Sequence, residues 1–140
     1  MSRILAIDLG TKRTGLAVTD PLQIIATALE TVPTQDLITY LKKYMDKETV
    51  EIIVMGMPKR LNNEDSDTTA LVKQYIEKLK TEFPAKTIAS IDERFTSSMA
   101  LDAMIAGGMK KKDRREKGNV DKISATIILQ SYMETASRNY

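Results

Sequence analysis

The sequence predicts an α/β domain in which a mixed β-sheet carries helices on both faces. Short apolar runs separated by tight turns fill the first third of the chain, and apolar strands alternate with amphipathic helices after residue 34. This order places helices over a sheet that has both antiparallel and parallel parts. The chain has 140 residues, 42% of them hydrophobic and 29% charged. A chain of this size buries enough surface to fold alone, so we expect a single domain over residues 1–140.

Three strands with tight turns between them are expected before residue 33. The first turn contains Gly10, and the second follows Asp20, where Pro21 restricts the preceding residue and cannot donate to a ladder. Connections this short favour an antiparallel meander. The predicted strands are residues 4–7, 14–19 and 24–32.

The remaining elements alternate between helix and strand. The candidate N-caps are Thr34 for the first helix, Thr96 or Ser97 for the third and Asn119 for the last. The predicted elements are a helix at 34–45, a strand at 51–56, a helix at 71–83, a strand at 86–91, a helix at 96–106 and a helix from 120 onward. The order β-β-β-α-β-α-β-α-α gives a five-stranded mixed sheet, which is the layout of the ribonuclease-H superfamily and of half of the actin-like ATPase fold.

Absent residue types restrict the chemistry and the location. The chain has no His and no Cys, which excludes thiol nucleophiles, serine–histidine triads and typical zinc sites. Carboxylate oxygens are left as the natural ligands, and they suit Mg²⁺ or Mn²⁺. No apolar run approaches the ~20 residues of a membrane helix, and the first strand leaves no room for a signal peptide. We therefore expect a cytoplasmic protein.

The stretch from Asp8 to Gly15 is the strongest candidate site. It reads Asp-Leu-Gly-Thr-Lys-Arg-Thr-Gly. A carboxylate at the end of a buried strand is costly unless it is paired, hydrogen-bonded or bound to a metal. Gly10 and Gly15 allow backbone amides to approach a phosphate, and Lys12 and Arg13 add positive charge there. An Asp that merely closes a turn is the alternative, but the basic pair and the second glycine favour a site.

Further carboxylates follow later in the chain. Asp92 and Glu93 follow the point where the last predicted strand ends, and spacing does not choose between them because neighbours in a strand point to opposite faces. Asp121 falls in the first turn of the last predicted helix, where the helix dipole favours negative charge. Surface ion pairing and helix capping would explain these positions without any catalytic role. Together with Asp8, however, they suit one or two Mg²⁺ ions that polarise a phosphodiester and activate water.

Positive charge is concentrated near residue 114. The net charge is only +2, but residues 110–117 read Lys-Lys-Lys-Asp-Arg-Arg-Glu-Lys. Such a cluster binds phosphate backbones or forms a solvated loop. Its basic members are Lys110, Lys111, Lys112, Arg114, Arg115 and Lys117.

Four motifs carry a family resemblance over essentially the whole chain. They are Asp-Leu-Gly-Thr-Lys-Arg-Thr-Gly-Leu-Ala-Val-Thr-Asp (8–20), Ile-Val-Met-Gly-Met-Pro (53–58), Asp-Glu-Arg-Phe-Thr-Ser (92–97) and Val-Asp-Lys-Ile-Ser-Ala-Thr-Ile-Ile-Leu-Gln-Ser-Tyr (120–132). In this order and spacing they resemble the YqgF family, bacterial ribonuclease-H-like proteins named as Holliday junction resolvases and as pre-16S rRNA nucleases. The loop after Pro58 and Ser124 depart from the family pattern, but neither departure touches a candidate carboxylate of the site.

The resemblance implies a site and an activity. It implies that Asp8, Glu93 and Asp121 are the catalytic, metal-binding acids, which resolves the choice that spacing left open. The expected function is a Mg²⁺- or Mn²⁺-dependent endonuclease that processes the 5′ end of precursor 16S rRNA, with partners that include nucleic acid and the ribosome. The residues expected to hold phosphates are Lys12, Arg13, Arg94 and the six basic residues of the 110–117 cluster.

Other functions stay open on the sequence. Holliday junction resolution is the main alternative, and it needs a homodimer rather than a monomer because two symmetric cuts are required. A catalytically silent nucleic-acid-binding module on the same fold is a third hypothesis. An actin-like phosphotransferase would need two domains around its ATP cleft, and 140 residues supply one.

Overall fold

A computed structural model describes residues 2–57, 67–92 and 117–138, which contain five strands, a short 3₁₀ turn and three helices. The predicted helix at 96–106 and residues 110–116 of the basic cluster lie outside these ranges. The elements are β1 (Arg3–Leu9), β2 (Arg13–Thr19), β3 (Ala26–Pro33), the 3₁₀ turn (Thr34–Asp36), α1 (Leu37–Lys47), β4 (Val50–Met57), α2 (Asp67–Glu82), β5 (Thr87–Asp92) and α3 (Lys117–Arg138).

The five strands form one mixed sheet in the order β3-β2-β1-β4-β5. β1, β2 and β3 pair antiparallel, as the short connections predict. β4 and β5 add to the other side in parallel with β1. The expected five-stranded mixed sheet is therefore confirmed, with β1 at its centre.

Helices cover both faces of the sheet, also as predicted. Strand alternation sends Leu5 and Ile7 of β1 toward α1 and α2, where they join a cluster that includes Leu41 and Leu79. Ile4 and Ala6 lie on the opposite face and pack with residues of α3. Among the helices that the structure describes, none is long and apolar enough to cross a membrane.

The loop between β2 and β3 is held by the carboxylate of Asp20. It accepts hydrogen bonds from the backbone N–H groups of Leu22 at 3.1 Å, Ile24 at 2.8 Å and Ile25 at 2.7 Å. These bonds, that of Ile25 foremost, hold the pKa of Asp20 below its usual value. Because Ile24 and Ile25 bond to Asp20, β3 begins at Ala26 rather than at the predicted residue 24.

Two expectations about helix starts are wrong. Thr34 caps no helix with its side chain; it lies in the 3₁₀ turn, and its hydroxyl is committed to other partners described below. The last helix begins at Lys117, so Asn119 lies inside it and Asp121 falls beyond its first turn. Gly118 lowers helix propensity without ending a helix, which lets α3 extend upstream of the predicted start.

Truncating Leu129 tests whether α3 covers the second face. Leu129 is fully buried in the cluster beneath α3, so Leu129→Ala should lower the free energy of unfolding by about 2–5 kcal/mol. Chemical denaturation would measure the change. Leu22→Ala is the control, since Leu22 is 58% exposed and should change stability by less than about 0.5 kcal/mol. Equal effects of the two substitutions would contradict the packing of α3.

Candidate active site

Asp8 is the last but one residue of the central strand, on the face covered by α3. Its side chain is half-buried. It follows Ile4 and Ala6 in strand alternation, and both of those side chains belong to the α3-side cluster. A carboxylate therefore stands at the end of an otherwise apolar row, where α3 and the sheet enclose the core.

Two glycines flank Asp8 on the neighbouring strands. Gly15 of β2 is its ladder partner. On the other side the last ladder pair is Ile7 with Met55, so one further step in the same register sets Gly56 of β4 beside Asp8. Neither neighbour has a side chain, and the sheet on both sides of the carboxylate is bare backbone. The two ladder neighbours of Asp8 therefore place no side chain beside it within the sheet.

The three parallel strands β1, β4 and β5 end at the same edge of the sheet, here called the carboxyl edge. Met57 of β4 pairs with Asp92, the final residue of β5. Adjacent strands lie about 4.8 Å apart, so β5 ends roughly 10 Å from β1 with β4 between them. Glu93 follows directly in the sequence but lies outside the described residues.

The direction of α3 can be read from its far end. Met133 lines a surface groove together with Ala26 at the start of β3. Ala26 pairs with Thr19, whose hydroxyl accepts a 2.9 Å hydrogen bond from the backbone N–H of Ile4. The carboxyl-terminal part of α3 therefore lies where β1 begins, and its amino-terminal part lies toward the carboxyl edge.

Asp121 belongs to that amino-terminal part. It precedes Ala125, which is buried against the sheet, by about one helical turn. The backbone of α3 thus brings residue 121 toward the end of the sheet that holds Asp8, on the same face. The expected meeting of Asp8 and Asp121 is compatible with this path of the chain, although the structure does not describe the Asp121 side chain.

Residues 10–13 form a tight turn between β1 and β2, here called the 10–13 turn. A Cβ atom at Gly10 would lie 2.4 Å from the carbonyl oxygen of Arg13, so no other residue fits without moving the backbone. Lys12 and Arg13 are exposed at this turn. Both stand at the carboxyl edge: Arg13 precedes Gly15, the ladder partner of Asp8, by two residues, and Lys12 comes just before it in the turn. Both expected phosphate ligands therefore lie at the same edge of the sheet as the candidate carboxylate.

A buried group of hydroxyls beneath this turn was missed in the sequence. The Thr34 hydroxyl donates to the Gly10 carbonyl oxygen at 2.6 Å and lies 2.8 Å from the Thr14 hydroxyl. The Thr34 N–H donates to the Lys12 carbonyl oxygen at 3.0 Å. Tyr75 of α2 donates to the Thr34 carbonyl oxygen at 3.2 Å. Thr34 lies 20 residues after Thr14 in the sequence. A contact between residues so far apart produces no periodic pattern from which it could have been predicted.

The chemistry of this site follows from oxygen donors and positive charge. Carboxylate oxygens are the ligands that suit Mg²⁺ or Mn²⁺. No group of three possible metal ligands is found among the described residues, which exclude Glu93 and the side chain of Asp121. Lys117 starts α3, and its side chain is not described. The other expected phosphate ligands lie outside the described ranges: Arg94, Lys110, Lys111, Lys112, Arg114 and Arg115.

Sequence comparisons identify close relatives. A family model described as RuvX, Holliday junction resolvase, matches residues 2–135. A protein of Phocaeicola vulgatus named "Putative pre-16S rRNA nuclease" is 54% identical over 135 residues, which are 96% of this chain and 97% of that protein. A protein of Amoebophilus asiaticus with the same name is 49% identical over 140 residues and covers 100% of this chain and 99% of its own length.

Structure comparisons agree on the fold. Thermus thermophilus RuvC, solved in complex with a Holliday junction substrate, superimposes with a TM-score of 0.59 at 17% identity. The match covers 96% of this chain and 98% of that chain. A second structure of Thermus thermophilus RuvC gives a TM-score of 0.58 at 15% identity. These likenesses confirm the expected ribonuclease-H-like fold.

Substituting Gly10 tests the tightness of the 10–13 turn. Gly10→Ala places a Cβ against the Arg13 carbonyl oxygen, and we expect it to lower the free energy of unfolding by about 1–3 kcal/mol. Thr11→Ala, at the exposed neighbouring residue, should change it by less than about 0.5 kcal/mol. Thermal and urea unfolding would measure both. A Gly10→Ala protein as stable as Thr11→Ala would show that the turn is looser than described.

Proposed function

Because the chain belongs to the RuvX family of Holliday junction resolvases, we propose that it is a metal-dependent endonuclease whose acids are Asp8, Glu93 and Asp121. Its relatives share about half of their residues with it and carry the name of a pre-16S rRNA nuclease. We therefore propose the 5′ region of precursor 16S rRNA as the substrate of a single catalytic domain in the cytoplasm.

The placement of Asp8 is the observation that carries this proposal. It stands at the carboxyl edge of the sheet, on the α3 face, with glycine on both neighbouring strands. Ala89 and Ile91 of β5 pack on that same face, so strand period favours Glu93 over Asp92 as its partner. Gly56 of β4, which lies between β1 and β5, adds no side chain at this end of the sheet.

The donor set fits Mg²⁺ or Mn²⁺. The chain offers oxygen ligands and has no His or Cys to favour a softer metal. Asp8, Glu93 and Asp121 would hold the ion. Bound there, it supplies Lewis-acid stabilisation for the charge that develops on a phosphodiester during hydrolysis.

The chain's own cations would hold the substrate. Lys12 and Arg13, exposed beside Asp8, offset the negative charge of the phosphate that approaches the carboxylates. Arg94 and the basic cluster at 110–117 would extend this contact along the nucleic acid. Contacts of this kind neutralise phosphates without reading the bases, so we expect binding that depends little on base sequence.

Holliday junction resolution is the second candidate, favoured by the family description and by the superposition on RuvC. It requires two copies that cut symmetrically. A homodimer in solution that cleaves a four-way DNA junction faster than precursor rRNA would favour this candidate, whereas a monomer that cleaves only the RNA would exclude it as the main activity.

Replacing Asp8 by Asn tests the proposed site. The substitution keeps the shape and removes the charge that binds the ion. Loss of a group that only orients a metal ligand costs 10–100-fold, so loss of the ligand itself should lower cleavage at least about 100-fold. Gel assays on a precursor 16S RNA fragment, with and without Mg²⁺, would measure the effect.

Two matched controls sharpen this test. Asp46→Asn removes a carboxylate that is exposed on α1 and should leave cleavage unchanged. Glu93→Gln and Asp92→Asn remove neighbouring carboxylates, of which we expect only the first to abolish cleavage. Wild-type activity in Asp8→Asn would overturn the proposed site, and wild-type activity without divalent ions would overturn the metal requirement.

A further inference from the structure

The hydroxyls beneath the 10–13 turn form a chain with a fixed direction. A threonine hydroxyl has one proton, and a carbonyl oxygen only accepts. Since Thr34 gives its proton to Gly10, the 2.8 Å contact with Thr14 requires Thr14 to donate to Thr34. Thr14 is fully buried and Thr34 is 5% exposed, so neither hydroxyl can exchange its partner for bulk water. Thr14 therefore donates to Thr34, and Thr34 donates to the Gly10 carbonyl oxygen of the turn.

This chain ends on the turn that carries the proposed phosphate ligands. Thr34 holds the turn at two points, through its hydroxyl at Gly10 and through its N–H at the Lys12 carbonyl oxygen. Tyr75 in turn fixes the Thr34 carbonyl from α2, the helix on the opposite side of the sheet from α3. The position of the 10–13 turn is thereby tied to the main core.

We propose that Thr34 is a positioning residue of the nuclease. Its hydroxyl, oriented by Thr14, fixes the 10–13 turn where Lys12 and Arg13 meet the substrate phosphate next to Asp8. Thr34 touches neither substrate nor metal and acts through the Gly10 carbonyl. This inference rests on the proposed function, because it assigns the turn the task of holding nucleic acid.

Removing the hydroxyl in different ways separates positioning from simple stability. Thr34→Val keeps the shape but leaves the buried Thr14 hydroxyl without an acceptor, so both stability and turn order should fall. Thr14→Val combined with Thr34→Val removes both partners, which restores most of the stability, yet Gly10 still lacks its donor. Thr34→Ser retains the hydroxyl and should rescue function.

The experiment measures kcat and KM on a precursor 16S RNA fragment and hydrogen exchange of the amides at 10–13. For Thr34→Val and for the double variant we expect KM to rise about tenfold, with kcat changed less than about twofold, and exchange in the turn to accelerate. Thr34→Ser should stay near the wild type. Thr81→Val is the matched control, since Thr81 bonds its hydroxyl to the Glu77 carbonyl on the exposed side of α2.

Each outcome decides a different point. If the wild type cleaves the RNA and both valine variants keep its KM, Thr34 is not a positioning residue and the proposed function stands. If KM recovers in the double variant together with stability, the role of Thr34 is structural and the inference is wrong. If the wild type neither binds nor cleaves the RNA, the proposed function fails and the positioning role fails with it.

Discussion

The pairing of β1 on both sides is the constraint from which the candidate site follows. Antiparallel pairing with β2 sets Gly15 beside Asp8, and parallel pairing with β4 continues to Gly56. A shift of either register by one residue would move Asp8 to the other face of the sheet, against α1 and α2. The apolar rows of β1 prevent such a shift, because Leu5 and Ile7 would then exchange faces with Ile4 and Ala6.

The strand and helix order was predictable because it depends on local periodicity. Apolar runs next to turn residues marked the five strands. The tight turns among the first three strands, followed by helical connections to the last two, predicted the mixed sheet. The predicted ends of the elements were less accurate where a side chain, and not a backbone group of a neighbouring strand, accepts the backbone hydrogen bond. The Asp20 carboxylate accepts hydrogen bonds from the N–H groups of Ile24 and Ile25, so these groups do not pair with β2. Residue propensities do not predict a side-chain hydrogen bond of this kind.

The candidate site, like the fold, was predictable from the sequence only where its signals are local. Asp8, Lys12 and Arg13 stood out in the sequence because their motif is local and charged, and the structure places all three at the carboxyl edge. The roles of Glu93 and Asp121 came from the family resemblance and stay predictions. Thr34 was misassigned as a helix cap, since a Thr that precedes a helix is a common cap and its true partners are distant in sequence.

The proposed metal site can be tested most directly by paramagnetic NMR of the 15.7 kDa protein. Substoichiometric Mn²⁺ should broaden the backbone amide signals of Gly15 and Gly56 first, because they flank Asp8. The signal of Val50, where β4 begins at the far end of the sheet, should persist, and Asp8→Asn should abolish the selective broadening. Broadening that is uniform, or that is unchanged in Asp8→Asn, would contradict a metal site at Asp8.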